Sequence, residues 1–169
     1  INTGEYKPDR VKPSLSPSMD IQVSSNFERL LFDILKGDDK KVVTLMNDLK
    51  TKGFFKLDQE SVKIIQKDFC AETINDEETL AIIKNFNLES KFVLDPHTAT
   101  AFGAVKKNSS ISETIILGTA HPYKFLETVT KATGIEIKTP SQLSNIVDKE
   151  ERFDIIDNNI SKIKKYILE

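Results

Sequence analysis

The chain has 169 residues, 30% of them charged and 38% hydrophobic, with a formal net charge of −2. Such values suit a globular protein with one sizeable core, and the interspersed signs leave no basic face for nucleic acid. One cysteine, Cys70, excludes an internal disulfide and a multi-cysteine zinc site, and no apolar run approaches the roughly 18 residues of a membrane span. The cytoplasm is the simplest compartment for such a chain.

Residues 1–24 carry Pro8, Pro13 and Pro17 and no helical period, which predicts extended backbone and turns, with Ser16-Pro17-Ser18-Met19-Asp20 at their centre. From Ser25 the pattern changes: Phe27, Leu30, Leu31, Ile34 and Leu35 share one helical face, Ser24 or Ser25 is a good N-cap, and Gly37 a good stop. A second helix starts at Asp38 or Asp39, presents Val42, Leu45, Met46 and Leu49, and stops before Gly53. A third follows Asp58 with Val62, Ile65 and Phe69 inward, and a fourth follows Asn75 or Asp76 with Leu80, Ile83 and Phe86 inward. Lys91 to Leu94 reads as a short extended run, and the alanine-rich residues 97–107 as a close-packed helix. Thr114 to Leu117, β-branched and apolar on both faces, reads as a buried parallel strand. Pro122 suits the first turn of a helix carrying Phe125, Leu126 and Val129, which Gly134 ends. Glu136 to Lys138 reads as a short edge strand, and Ile156, Ile160, Ile163 and Ile167 as a terminal helix. These elements predict an α/β fold, rich in helix, whose open sheet is incomplete. The expected divisions are an extended segment 1–24, a helical subregion 25–89, an α/β part 90–140 and a helical tail 141–169.

Thr119 follows the predicted strand and precedes the predicted helix, and open α/β sheets place ligands at the carboxyl ends of strands. Gly118 lets a ligand approach the backbone there. The bland alternative is that Thr119 or His121 caps the helix. Histidine is the residue type suited to proton transfer near neutrality, so the two histidines, His97 and His121, are candidate pocket residues, with capping as the alternative for His97 as well. As zinc ligands they would need further partners, for which Asp20 or Asp95 is only a weak third, so no metal site is assigned. Ser24, Asn26 and Arg29 form a polar helix entrance able to receive an anion, or else a cap with a surface ion pair. Cys70, at the end of an apolar stripe, reads as a small hydrophobe rather than a nucleophile.

Four segments together carry a resemblance: Leu15-Ser16-Pro17-Ser18-Met19-Asp20-Ile21, Ser24-Ser25-Asn26-Phe27-Glu28-Arg29, Leu94-Asp95-Pro96-His97-Thr98-Ala99 and Gly118-Thr119-Ala120-His121-Pro122. In this order they resemble the C-terminal part of threonine synthase, a lyase of the fold type II, tryptophan synthase beta-like, pyridoxal phosphate enzymes. The resemblance implies an activity for a complete protein: conversion of O-phospho-L-homoserine and water to L-threonine and phosphate, in threonine biosynthesis. It further implies that Thr119, with Gly118, meets the pyridine nitrogen of pyridoxal phosphate, and that Ser24, Asn26, Arg29, His97 and His121 shape the substrate pocket. Ser24 stands where the family motif usually has proline, which removes a rigid turn and no functional group.

What such an enzyme further needs is not in this sequence. The six glycines, Gly4, Gly37, Gly53, Gly103, Gly118 and Gly134, never share a loop, so they cannot build a glycine-rich phosphate cup. No lysine stands in a Phe-Lys-Asp setting; Lys67-Asp68-Phe69 has the wrong order on a helical stripe. The resemblance implies that the catalytic Schiff-base lysine and the cup lie upstream, in an N-terminal half that is this segment's partner, and the segment alone is expected to be inactive. The alternatives are a threonine synthase-like phospholyase that eliminates phosphate without forming threonine, and a noncatalytic helical interaction module derived from the same fold.

Overall fold

A computed structural model describes residues 1–108, 113–146 and 149–169. The chain divides into two units, Ile1–Ile137 and Lys138–Glu169.

The first unit is built around two helical groups. Helices α1 (Ser25–Ile34), α2 (Asp39–Lys52) and α3 (Gln59–Asp68) surround one core. Leu31, Phe55, Leu57, Val62 and Ile65 are buried there, with Phe27, Ile34, Leu45, Met46 and Leu49 packed against them. Tyr6 joins this core between two rings, stacking on Phe27 at 5.3 Å and on Phe55 at 5.2 Å. The caps follow the sequence: Asp38 accepts from Lys41 N at the start of α2, Asp58 accepts from Ser61 N at the start of α3, and Gly53 closes α2 in the left-handed region. Helix α1 ends before Gly37, because Lys36 already turns left-handed at φ 56° and the Gly37 amide bonds back to Phe32 O.

Two short strands, β1 (Glu5–Tyr6) and β2 (Phe55–Lys56), pair antiparallel, with Tyr6 opposite Phe55. Gly4, at φ 72°, lets the chain enter β1 beside α3; a Cβ there would collide with Val62 Cγ2.

The second group packs α4 (Asp76–Ser90) against α5 (Pro96–Lys107) and α6 (Leu126–Thr133). Ile83, Ala99 and Val129 are its buried apolar side chains. A capping box between Asn75 and Glu78 starts α4, Pro96 opens α5, and a 3-10 turn at Pro122–Phe125 leads into α6, which Gly134 ends.

The open sheet is thus the β1–β2 pair, and the runs at 91–94, 114–117 and 136–138, expected as strands, join no ladder among the described residues. A strand exists through its neighbour, and these runs have none among the described residues. Ile115 and Leu117, expected to be buried on both faces, are 90% and 73% exposed.

The second unit carries α7 (Ile160–Leu168), which Asn159 caps by accepting from Ser161 N and Lys162 N. Its Tyr166 hydroxyl donates to Asp154, and Lys162 pairs with Asp157. The interaction with Asp154 raises the Tyr166 phenol above its ordinary range.

Candidate functional site

In the first unit a cleft of about 830 Å³ lies between the Ser14–Asp20 segment, the residues leading into α4, one face of α5 and the extended run ending at Thr119. His97 and Thr119 both line it, so the fold unites residues 22 positions apart.

The Ser14–Asp20 segment is folded on itself before it meets the helices. Asp20 accepts from both the amide and the hydroxyl of Ser14 at 2.8 Å, and the Met19 amide donates to Ser16 O at 2.8 Å. It is pinned to α4 where the Leu15 amide donates to Asp76 Oδ1 at 3.0 Å, and to α5 where the Ser18 amide donates to His97 Nε2 at 3.1 Å. Because Nε2 accepts, the neutral His97 ring carries its proton on Nδ1. That nitrogen stands 3.3 Å from Asp95 Oδ1, close enough for electrostatic contact but not aligned as a hydrogen bond. The other side of the imidazole packs on the Phe125 ring at 4.7 Å.

Asp95 is the N-cap of α5 and is only 2% exposed. Its Oδ1 accepts from the amides of His97 at 2.9 Å and Thr98 at 3.3 Å, and its Oδ2 accepts from the Thr98 hydroxyl. Thr98 Oγ1 in turn accepts from the Thr119 amide at 3.3 Å. The Thr119 hydroxyl makes no hydrogen bond among the described residues.

At the opposite end of α5, Lys107 pairs with Glu78 at 2.7 Å and donates to Thr73 O at 2.6 Å, tying that end to the chain that enters α4. Lys107, then the Asn75 amide, hold the Glu78 carboxyl below its ordinary range.

The remaining predicted residues lie elsewhere. Gly118 is exposed beside Thr119 but outside the lining. His121 is exposed and accepts from the Tyr123 amide at 3.1 Å, capping the Pro122–Phe125 turn. Ser24, Asn26 and Arg29 stand at the start of α1. The Ser24 hydroxyl donates to Asn26 Oδ1, the Ser24 amide donates to the Tyr6 hydroxyl at 3.2 Å, and Arg29 is exposed. Ser24 faces a separate hollow of about 130 Å³ with Tyr6, Val23 and Met46. Asp95, which sequence reasoning weighed only as a weak metal ligand, and Thr98 and Ser18, to which it gave no individual role, complete the site. Aspartate directly before a proline that opens a helix was the available signal for the first of them.

The lining has a distinct chemistry. Ala101 and Ala104 of α5 and Ile115 and Leu117 of the extended run give the lining apolar surface, and Thr119 is among its hydroxyl-bearing residues. Asp20, Glu72 and Asp76 line the cleft and no lysine or arginine does, among the described residues. No three histidine, cysteine, aspartate or glutamate side chains lie together as a metal-binding group among the described residues. No helix there is long and apolar enough to cross a membrane.

Comparisons with known proteins follow the same outline. In solved structures the fold matches the pyridoxal phosphate-bound threonine synthase from Brucella melitensis with a TM-score of 0.87 at 34% identity, covering 98% of this chain and 36% of that one. The fold class is therefore that of the helix-rich C-terminal part of a fold type II pyridoxal phosphate enzyme.

Residues 98–167 match the family described as "Threonine synthase, C-terminal". Threonine synthase of Pseudomonas aeruginosa is 38% identical over 170 residues, 99% of this chain and 36% of the relative's length. That of Saccharomyces cerevisiae is 38% identical over 151 residues, 78% of this chain and 29% of the relative. The chain corresponds to the C-terminal portion of threonine synthase, and it spans well under half of the length of the relatives it matches.

Proposed function

We propose that this chain forms one wall of the cofactor and substrate site of a complete threonine synthase, which converts O-phospho-L-homoserine and water to L-threonine and phosphate in the cytoplasm. The observation that carries the proposal is the Thr119 hydroxyl, free of partners among the described residues, in a cleft that Thr119 lines together with His97 and apolar side chains of α5 and of the run 114–117. Such apolar surface fits the flat ring of pyridoxal phosphate, and the hydroxyl fits its pyridine nitrogen. When bound, this cofactor serves as an electron sink for carbanions formed on the amino acid. A neutral hydroxyl at the ring nitrogen, in place of a carboxylate, leaves that nitrogen largely unprotonated.

The three carboxylates of the lining repel phosphate, and no cation of the lining offsets them. The phosphates of cofactor and substrate, like the lysine that bonds the cofactor, are accordingly assigned to the N-terminal half of the complete protein. That half also provides the cover for Ile115, Leu117 and Phe92, the last 74% exposed. Ser24, Asn26 and Arg29 are assigned to the substrate side at the α1 entrance, with Gly118 keeping the approach to Thr119 open. His97 shapes the cleft directly. His121 acts through the turn it caps, whose Phe125 ring packs on His97.

The test is turnover of O-phospho-L-homoserine with added pyridoxal phosphate. The complete protein should release phosphate and form threonine in equal amounts, and the 169-residue chain should do neither. Phosphate release without threonine by the complete protein would establish the phospholyase alternative. Turnover by this chain alone would overturn the assignment of the lysine to the N-terminal half.

A further inference from the structure

The cleft has two walls that touch α5 at neighbouring residues, His97 and Thr98, both in contact with the same buried carboxylate, Asp95. On one side, the Ser14–Asp20 segment hangs on His97 Nε2 through the Ser18 amide. On the other, the Thr119 amide rests on Thr98 Oγ1. Both acceptors owe their polarity to Asp95. A threonine hydroxyl has one proton, and Thr98 gives it to Asp95 Oδ2, so the oxygen turns lone pairs toward Thr119. A neutral imidazole has one ring proton, and the Asp95 carboxylate at 3.3 Å from Nδ1 favours it there, which leaves Nε2 bare for Ser18. Asp95 is 2% and His97 8% exposed, so water is a poor substitute for either partner.

We propose that Asp95 is a positioning residue that sets the hydrogen-bond polarity of both cleft walls, fixing Thr119 through Thr98 and the Ser16–Asp20 turn through His97. The Thr119 arm rests on the reading that Thr119 meets the cofactor ring; the His97 arm is independent of it. A plain helix cap makes a different prediction. Asparagine caps helices as well as aspartate does, so Asp95→Asn would be silent if capping were all that Asp95 did. The substitution keeps the oxygen that accepts from the His97 and Thr98 amides and exchanges the Oδ2 acceptor for an NH₂ donor. Thr98 then loses the acceptor for its proton, and the carboxylate charge beside Nδ1 is gone.

The experiment compares the complete protein with its Asp95→Asn, Thr98→Val and Thr119→Val variants. Histidine ¹⁵N shifts report the His97 tautomer, titration with pyridoxal phosphate reports cofactor affinity and spectrum, and thermal unfolding reports the fold. The tautomer resonance is assigned by its loss in His97→Gln. Asp95→Asn should move the His97 proton from Nδ1 toward Nε2 and weaken cofactor binding about tenfold, the usual scale for disturbing one buried polar pair. Thr98→Val should reproduce the loss of cofactor affinity and leave the tautomer unchanged. A parent-like tautomer and parent-like affinity in a folded Asp95→Asn protein would overturn the proposal. Should Thr119→Val alter cofactor binding while Asp95→Asn and Thr98→Val do not, the Thr119 reading stands and its coupling to Asp95 fails. If Thr119→Val has no effect but Asp95→Asn shifts the tautomer, the Thr119 reading fails and the His97 arm stands.

Discussion

His97 and His121 are alike in sequence, each beside a proline, and folding gives them different work. His97 enters the first turn of α5, buried against Phe125 and holding the Ser18 amide, whereas His121 stays exposed and caps a short turn. Residue type and proline spacing made both candidates, but only the long-range approach of the Ser14–Asp20 segment separates them. Local caps were legible for the opposite reason: Asp38, Asp58 and Asn75 each act within three residues of themselves. On the reading proposed for Thr119, its functional group is the hydroxyl alone. In the complete protein Thr119→Ser should bind pyridoxal phosphate as the parent does. Thr119→Val should bind it about 2- to 10-fold more weakly, the worth of one hydrogen bond of roughly 0.5–1.5 kcal/mol. Equal affinity for the serine and valine variants would remove Thr119 from the cofactor ring.

Among elements, the helices announced themselves and the strands did not. Apolar residues at helical spacing repeat over ten to fifteen residues in α1 through α4, while β1 and β2 are two residues each and pair across about fifty positions. A pair that short leaves no period to read. Thr114–Leu117 has strand composition but no neighbour to pair with among the described residues, so composition alone misled. The α4–α5 contact makes a sharper forecast. A Cβ on Gly103 would stand 2.7 Å from Ile74 Cδ1 and 2.8 Å from Ile82 Cδ1, and both branched side chains would have to move. Gly103→Ala gains about 1 kcal/mol of helix propensity and costs roughly 1–3 kcal/mol of overpacking, so net destabilisation is expected. Denaturant unfolding would show it as a lower midpoint; a midpoint above the parent's would mean that the helices part freely.

The same helix pair should respond to acid. Glu78 is held below its ordinary value of 4.5 by Lys107 and then by the Asn75 amide. A depressed folded value means that the stabilisation is complete above the unfolded value and disappears as pH falls through the folded one. Glu78→Gln keeps the reciprocal cap and loses the charge. The difference in unfolding midpoint between parent and variant should be steady near neutrality and close as pH drops below 4.5. A difference that persists unchanged in acid would show that the Lys107 pair contributes nothing there.

At the scale of the molecule, the exposed apolar residues are the main departure from an ordinary globular surface. Phe92, Ile115 and Leu117 turn outward on the segments that flank α5, and the run from 114 to 117 leaves its backbone without a ladder partner among the described residues. Unpaired extended backbone with apolar side chains invites association. The isolated chain should bind a hydrophobic dye more strongly than an equal amount of the complete protein. Serine at Ile115 and Leu117 should reduce that binding in the isolated chain, and an unchanged signal would place the apolar surface elsewhere. That the chain spans only part of its relatives' length came from comparison, and the sequence itself raised only the expectation of a phosphate cup and a lysine supplied from elsewhere. Which apolar faces stand exposed became visible only with burial.

The central claim is that this chain walls a cofactor site whose lysine lies in the other part of the protein. Borohydride reduction of the complete protein loaded with pyridoxal phosphate, followed by peptide mapping, tests it most directly. The account predicts one labelled lysine, outside these 169 residues. A single specific label on a lysine of this chain would contradict it.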